Sequence, residues 1–219
     1  MGVSPRGIKG KLTRDLFHGV DMSKRKIPVV LTEEEQQSLL DQFNTRYVTS
    51  QRNKVMFQLM LNTGLRVSEA TSLRWEDVNL TSGKLMVREG KGAKDRSLWV
   101  DNSQLESLGN WKERQVKKVG ELPRWVFSTL REGNAGKKLT IQQVWKTLKT
   151  YAEKAGIEKD ISPHTLRHTF ATDLYRETGK IRLVQKALGH ADLSTTMIYT
   201  HIVDEELEGA MKSFRGAGE

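Results

Sequence analysis

The stretch Ser162-Pro163-His164-Thr165-Leu166-Arg167-His168-Thr169-Phe170-Ala171-Thr172-Asp173-Leu174 starts a helix in the preferred way, a serine cap followed by proline at the first helical position. At about 100° per residue, Leu166, Phe170 and Leu174 form an apolar stripe, and Arg167 lies roughly 60° around the axis from His164. One helix can therefore pack on a core while presenting an imidazole and a guanidinium to one cleft.

Working outward, the residues on either side also read as helix. Thr32-Glu33-Glu34-Glu35 is a capping box that starts a helix carrying Leu39, Leu40 and Phe43 inward. A second helix runs from about Ser50 with Val55, Met56, Leu59 and Met60 at helical spacing and ends at Gly64; a short one then holds Val67, Ala70 and Leu73. Helices are expected over 102–118 and 140–155. The latter is capped by Thr140 with Gln143 at N3, carries a stripe of Ile141, Val144, Trp145, Leu148, Tyr151, Ala152 and Ala155, and stops at Gly156. Ile181 to Leu188 is helical and stopped by Gly189, Tyr199 belongs to a short segment beginning near Ser194, and Asp204 caps a last helix with Leu207, Ala210, Met211 and Phe214. Between these, Lys84 to Arg88 and Arg96 to Val100 are strand-like and joined by Glu89-Gly90-Lys91-Gly92-Ala93-Lys94-Asp95, whose glycines permit a turn. The fold class is mainly α with a small antiparallel β-sheet (α+β).

The chain has 219 residues, with 36 Lys and Arg against 27 Asp and Glu, a formal net charge of +9, and no cysteine. Such a charge suits a polyanionic partner, without separating DNA, RNA and a membrane surface. No apolar run approaches the roughly 20 residues that span a bilayer, and no secretory signal is visible. Without cysteine there is neither a disulfide framework nor a thiolate metal site. A protein of the cytoplasm is expected. Residues 1–28 are basic, with Arg6, Lys9, Lys11, Arg14, Lys24, Arg25 and Lys26 against Asp15 and Asp21, and read as an arm along phosphates or as a solvated linker. Residues 29–219 form the main domain with its C-terminal helix. The five tryptophans, Trp75, Trp99, Trp111, Trp125 and Trp145, are most simply core or interface residues.

Four segments carry chemistry: Thr63-Gly64-Leu65-Arg66-Val67-Ser68-Glu69, the Gly90-Lys91-Gly92 turn, His164-Thr165-Leu166-Arg167-His168, and Leu188-Gly189-His190 followed by Thr195-Thr196-Met197-Ile198-Tyr199. Together they resemble the active site of the tyrosine recombinases, or phage integrase family, in family order over roughly residues 30 to 215. The resemblance implies a catalytic-domain fold of that family and a site-specific recombinase that cleaves and rejoins DNA through a 3′-phosphotyrosyl intermediate, without metal, ATP or other cofactor. The catalytic residues it implies are Arg66, Lys91, His164, Arg167, His190 and Tyr199.

Arginine suits a phosphorane because its guanidinium is always charged and makes paired hydrogen bonds to phosphate oxygens, which fits Arg66 and Arg167. His190 donates to, or holds, a non-bridging oxygen. Ionising Tyr199 at pH 7 costs roughly 4 kcal/mol, so a nearby base is needed, and His164 fits. Lys91 on the turn is suited to protonate the leaving 5′ oxygen. Glu69, one helical turn beyond Arg66, supports the centre or makes an ordinary salt bridge. His164 and His168 share the spacing of a metal pair, but no glutamate lies between them as in the zinc protease pattern, so His168 is read as a structural hydrogen-bonding residue and no metal is expected. Lys94 and Arg96 are expected on DNA phosphates, or in a solvated turn.

Most relatives carry a helical core-binding domain of about a hundred residues ahead of this one, and the arm here resembles the linker between the two. Either the chain is part of a longer protein or it is a compact recombinase like the single-domain fimbrial inversion enzymes. The partners implied are double-stranded DNA, a homotetramer on two DNA sites with a monomer in the absence of DNA, and accessory DNA-bending proteins; no membrane is expected. The alternatives are a type IB topoisomerase and a DNA-binding regulator that retains the fold.

Overall fold

In a computed structural model that describes residues 28–88, 95–190 and 193–216, helix α2 (Val48–Thr63) is the central element. Its Val55, Met56, Phe57, Leu59, Met60 and Leu61 are all buried, because it is covered on one side by α4 (Asn102–Val119) and on another by α6 (Pro163–Thr178). Full burial of a side chain such as Leu59 contributes roughly 1.5–3 kcal/mol, so this helix holds much of the hydrophobic stabilisation. The helix α1 (Glu33–Asp41) begins with the expected capping box: Glu35 N–H donates to Thr32 Oγ1 at 3.2 Å and Thr32 N–H to Glu35 Oε2 at 2.8 Å. Thr140 and Gln143 form the same device at the start of α5 (Ile141–Lys154).

The short α3 (Val67–Ser72) follows α2 after a glycine break at Gly64, whose φ of 64° lies in the left-handed region. A Cβ there would sit 2.3 Å from Phe170 of α6, so glycine is required both by the backbone and by the close approach of the two helices. Strands β1 (Lys84–Val87) and β2 (Arg96–Trp99) form the expected antiparallel hairpin, with Val87 opposite Arg96 and Lys84 opposite Trp99. Its tip, with Lys91 and Lys94, lies outside the described residues. Helix α7 (Ile181–Leu188) ends at Gly189 as expected. The result is mainly helical with one two-stranded antiparallel sheet.

Two expectations are corrected. Tyr199 does not precede the last helix but lies in it: after a 3-10 turn at Leu193–Thr195, α8 runs without a break from Ile198 to Gly216. No glycine or proline interrupts 198–208, and Tyr199 and Ile202, three apart, continue one buried stripe, so exposed Asp204 is a mid-helix residue and not a cap. The side chains of Ala210 and Phe214 lie outside the described ones. On α5 the buried line narrows to Val144, Leu148 and Ala152, with Tyr151 stacked on Phe43; Ile141 and Trp145, 43% and 48% exposed, flank it where the helix projects past the core. Of the tryptophans, Trp75 and Trp111 are core, whereas Trp99 stands 64% exposed on the hairpin.

Candidate active site

The C-terminal ends of α2 and α7 meet beside the middle of α6, and Arg167 joins them. Its Nη1 donates to Gly64 O and its Nη2 to Leu188 O, both at 2.6 Å. Carbonyls at helix ends lack intrahelical donors and carry the negative pole of the helix, so they are natural acceptors for a guanidinium. Yet they are neutral. Arg167 is only 5% exposed and has no carboxylate partner among the described residues; burial, then the charge of Arg66, pulls its pKa down to about 10. Charged at pH 7, it feels the Glu69 carboxylate through space only, and that carboxylate is already bound by Arg66 and Arg96.

Arg66 leads into α3. Glu69, at the third position of that helix, accepts from the Arg66 backbone N–H at 2.7 Å and from Arg66 Nη1 at 2.9 Å. The same carboxylate takes both terminal nitrogens of Arg96, at 3.0 and 2.8 Å. Burial alone would raise the Glu69 carboxyl, but the hydrogen bonds and charge of Arg96, then those of Arg66, hold it below the usual carboxylate range. Arg96 is 9% exposed and its Nε donates to Ala187 O at 2.9 Å, so its guanidinium is turned inward to brace Glu69 against α7. That differs from the expected phosphate contact. The reason is strand alternation: Arg96 shares the buried face of β2 with Leu98.

Tyr199, on the first turn of α8, is 1% exposed, and its hydroxyl lies 3.0 Å from His168 Nδ1. Burial pushes the phenol up to about 12, with Arg167 pulling the other way. His168 is pushed down to about 4 by burial, then by His164 and Arg167, so at pH 7 it is neutral and shares a hydrogen bond with the phenol whose direction follows the ring's tautomer. His190, just past the α7 glycine cap, is also lowered to about 4, by burial first and then by Arg167, Arg66 and Arg96. Its Nδ1 is 3.0 Å from Thr196 Oγ1.

His164 sits exposed in the first turn of α6 and is felt by His168 through its charge, without a hydrogen bond to Tyr199 among the described residues. The structure thus gathers Arg66, Glu69, Arg167, His168, His190 and Tyr199 into one electrostatic cluster, places His164 at its rim, and leaves Lys91 and Lys94 outside the described residues. Thr196 was not singled out from sequence, although it lies between His190 and Tyr199 in the Thr195-Thr196 pair. The inward face of Arg96 was legible from the period of two in β2.

A tyrosine hydroxyl, two arginines and two neutral imidazoles from separate segments form a set able to hold an oxyanion beside a nucleophile. Residues 29–206 match the model of the phage integrase family. This chain belongs to the phage integrase family. The tyrosine recombinase XerD of Staphylococcus saprophyticus is 38% identical over 190 residues, 87% of this chain and 63% of that protein. The crystal structure of XerA recombinase superposes with a TM-score of 0.71 at 31% identity, covering 88% of this chain and 67% of its own. The XerH site-specific recombinase, bound to palindromic difH substrate in a post-cleavage complex, gives a TM-score of 0.73 at 29% identity, covering 87% of this chain and 54% of its own. This chain therefore spans a little under two thirds of that curated XerD relative.

Proposed function

We propose that this chain is the catalytic part of a site-specific DNA recombinase, and that its reaction is transfer of a DNA strand to Tyr199 and back. The observation that carries the reading is the buried Arg167, a cation held by two neutral carbonyls and acting electrostatically on Tyr199. A phosphate oxygen would give that guanidinium an anion in direct contact beside the nucleophile, and XerD, XerA and XerH relatives are named as recombinases.

In this mechanism Arg66, Arg167 and His190 hold the non-bridging oxygens of the scissile phosphate. The Tyr199 oxygen attacks phosphorus, the P–O5′ bond breaks, and the products are a 3′-phosphotyrosyl ester and a 5′ hydroxyl. The phenolic proton goes to His164 and Lys91 gives a proton to the leaving oxygen. Reversal with a different 5′ hydroxyl rejoins the strand, and no external energy is needed because the ester replaces the bond broken. Glu69 keeps Arg66 in position. His168 holds the phenol in the buried arrangement, so the first turn of α8 must move before Tyr199 reaches a phosphate. Leu207 and Met211, each 59% exposed on α8, would dock that helix on a second copy, linking release to assembly of a homotetramer on two DNA sites from monomers.

The test uses nicked suicide duplexes and supercoiled plasmids carrying candidate sites. A Tyr199-dependent 3′ adduct together with recombinant products is expected. Plasmid relaxation without exchange would assign a type IB topoisomerase instead, and DNA binding with no adduct would leave a regulator.

A further inference from the structure

At the other end of α2, about twelve residues or roughly 18 Å from Gly64, a second cationic hollow opens. It is an open cleft of about 510 Å³ between the first turns of α2, the 129–131 loop and α5, lined by Arg52, Arg131 and Lys146 together with Thr49, Thr147 and Thr150. Among the described residues no carboxylate lines it. Arg52 forms its floor and is 8% exposed.

The Arg52 guanidinium donates from Nη1 to Ser128 O at 3.0 Å, and from Nε and Nη2 to Asn53 Oδ1 at 3.0 and 2.7 Å. Of its five N–H groups, one on each terminal nitrogen has no acceptor among the described residues. Burial draws its pKa down to about 10. A desolvated charge with neutral partners only is costly, and cost of this kind is commonly met by a ligand of opposite sign. Arg131 and Lys146 are exposed on the rim and free to swing over such a ligand, while the Thr49 and Thr150 hydroxyls supply neutral donors to phosphate oxygens; that of Thr147 already donates to Gln143 O at 2.8 Å. The first N–H groups of α2 point to the same end, where Tyr47 provides no side-chain cap.

We infer that this cleft is a second phosphate-binding site, separate from the Tyr199 cluster, in which Arg52 anchors the oxyanion and Arg131 and Lys146 close over it. The phosphate belongs either to the backbone of a bound duplex or to a small phosphate compound, and the two sources are separable.

The full chain, labelled with nitrogen-15, is titrated with inorganic phosphate at constant ionic strength and followed by two-dimensional amide spectra. Shifts at Asn53, Thr129 to Arg131 and Thr147 are expected, alongside an independent set at Gly64 to Arg66 and Leu188 to His190. The rim variant Arg131→Ala/Lys146→Ala should weaken the first set about tenfold and leave the second in place; Arg52→Met should remove the first set. Shifts confined to the second set, or a first set indifferent to the rim variant, would overturn the proposal. A duplex-binding series across salt then names the source. If the backbone fills the cleft, the slope of log affinity against log salt falls by about one or two in the rim variant; an unchanged slope beside a weakened phosphate response assigns a small phosphate compound. Neither readout needs strand cleavage, so failure here and failure of the recombinase reading are distinguishable.

Discussion

Arg167 and Arg52 meet the same physical difficulty in different company. Each is a buried guanidinium drawn down to about 10, and each is held by neutral oxygens. Around Arg167 stand two imidazoles lowered to about 4 and a phenol at hydrogen-bond distance from one of them. Around Arg52 stand threonines, the amides of Asn53 and Gln143, Tyr151 and exposed cations. A buried cation makes an anion site; a nucleophile beside it makes an active site. Only in the first cluster is a phenol set at hydrogen-bond distance from an imidazole.

Removing the guanidinium from each site separates the two most sharply. Arg167→Ala should slow single-turnover cleavage of a suicide duplex by about 10³-fold, on the scale of losing a preorganised donor in a water-poor site, while Arg52→Met should leave the cleavage rate at saturating duplex within about twofold. Equal losses in both variants would erase the distinction.

Glu69 tests how far the first site depends on its brace. Glu69→Gln keeps the shape but removes the charge that Arg66 and Arg96 share, and cleavage should fall by about 30-fold with roughly 2 kcal/mol of stability lost in urea unfolding. Arg52 offers no equivalent position, since no carboxylate among the described residues pairs with it.

Gly64→Ala probes the junction that seats Arg167. The φ of 64° and the 2.3 Å approach to Phe170 should together cost about 2 kcal/mol, read as a lower urea midpoint at unchanged m-value. Cleavage should fall as well, because the Gly64 carbonyl holds the guanidinium.

The pH dependence of stability sharpens the comparison at smaller scale. His168 and His190 have folded values near 4 against an ordinary value of 6.5, so between those limits the unfolded chain binds more protons. Stability is then full above about pH 6.5 and declines as pH falls towards 4, by roughly 1–3 kcal/mol for each histidine. Thermal unfolding across that range should show the slope, and His168→Gln and His190→Gln should each flatten it. The Arg52 cleft has no histidine on its walls and contributes nothing in that window.

Much of this site was legible in the chain because helix signals are local. The Thr32-Glu35 and Thr140-Gln143 boxes, the Gly64 and Gly189 stops and the apolar stripe of α2 are each written within one or two turns. Arg66, His164, Arg167, His190 and Tyr199 stand out by motif, and the fold places Arg66, Arg167, His190 and Tyr199 within electrostatic reach of one another, with His164 felt by His168. What local pattern could not supply is which neighbour each group meets across the chain. Arg167 reaches Gly64 and Leu188, and Arg96 reaches Glu69, through packing of α2, α6, α7 and β2. For the same reason the hydroxyl of Tyr199 rests on His168 and not on His164. The continuous α8 was missed because aspartate at 204 imitates a cap, while the stripe of Tyr199 and Ile202 that overrides it depends on tertiary burial.

The most direct measurement of the central claim is the mass of the protein–DNA linkage. A trapped suicide-duplex complex is digested with protease and nuclease, and the adducted peptide is sequenced by tandem mass spectrometry. The expected result is a 3′-phosphonucleotide on Tyr199, absent from Tyr199→Phe protein that still binds the duplex. A linkage on another residue, a 5′ linkage, or an undiminished adduct in the Tyr199→Phe variant would contradict it.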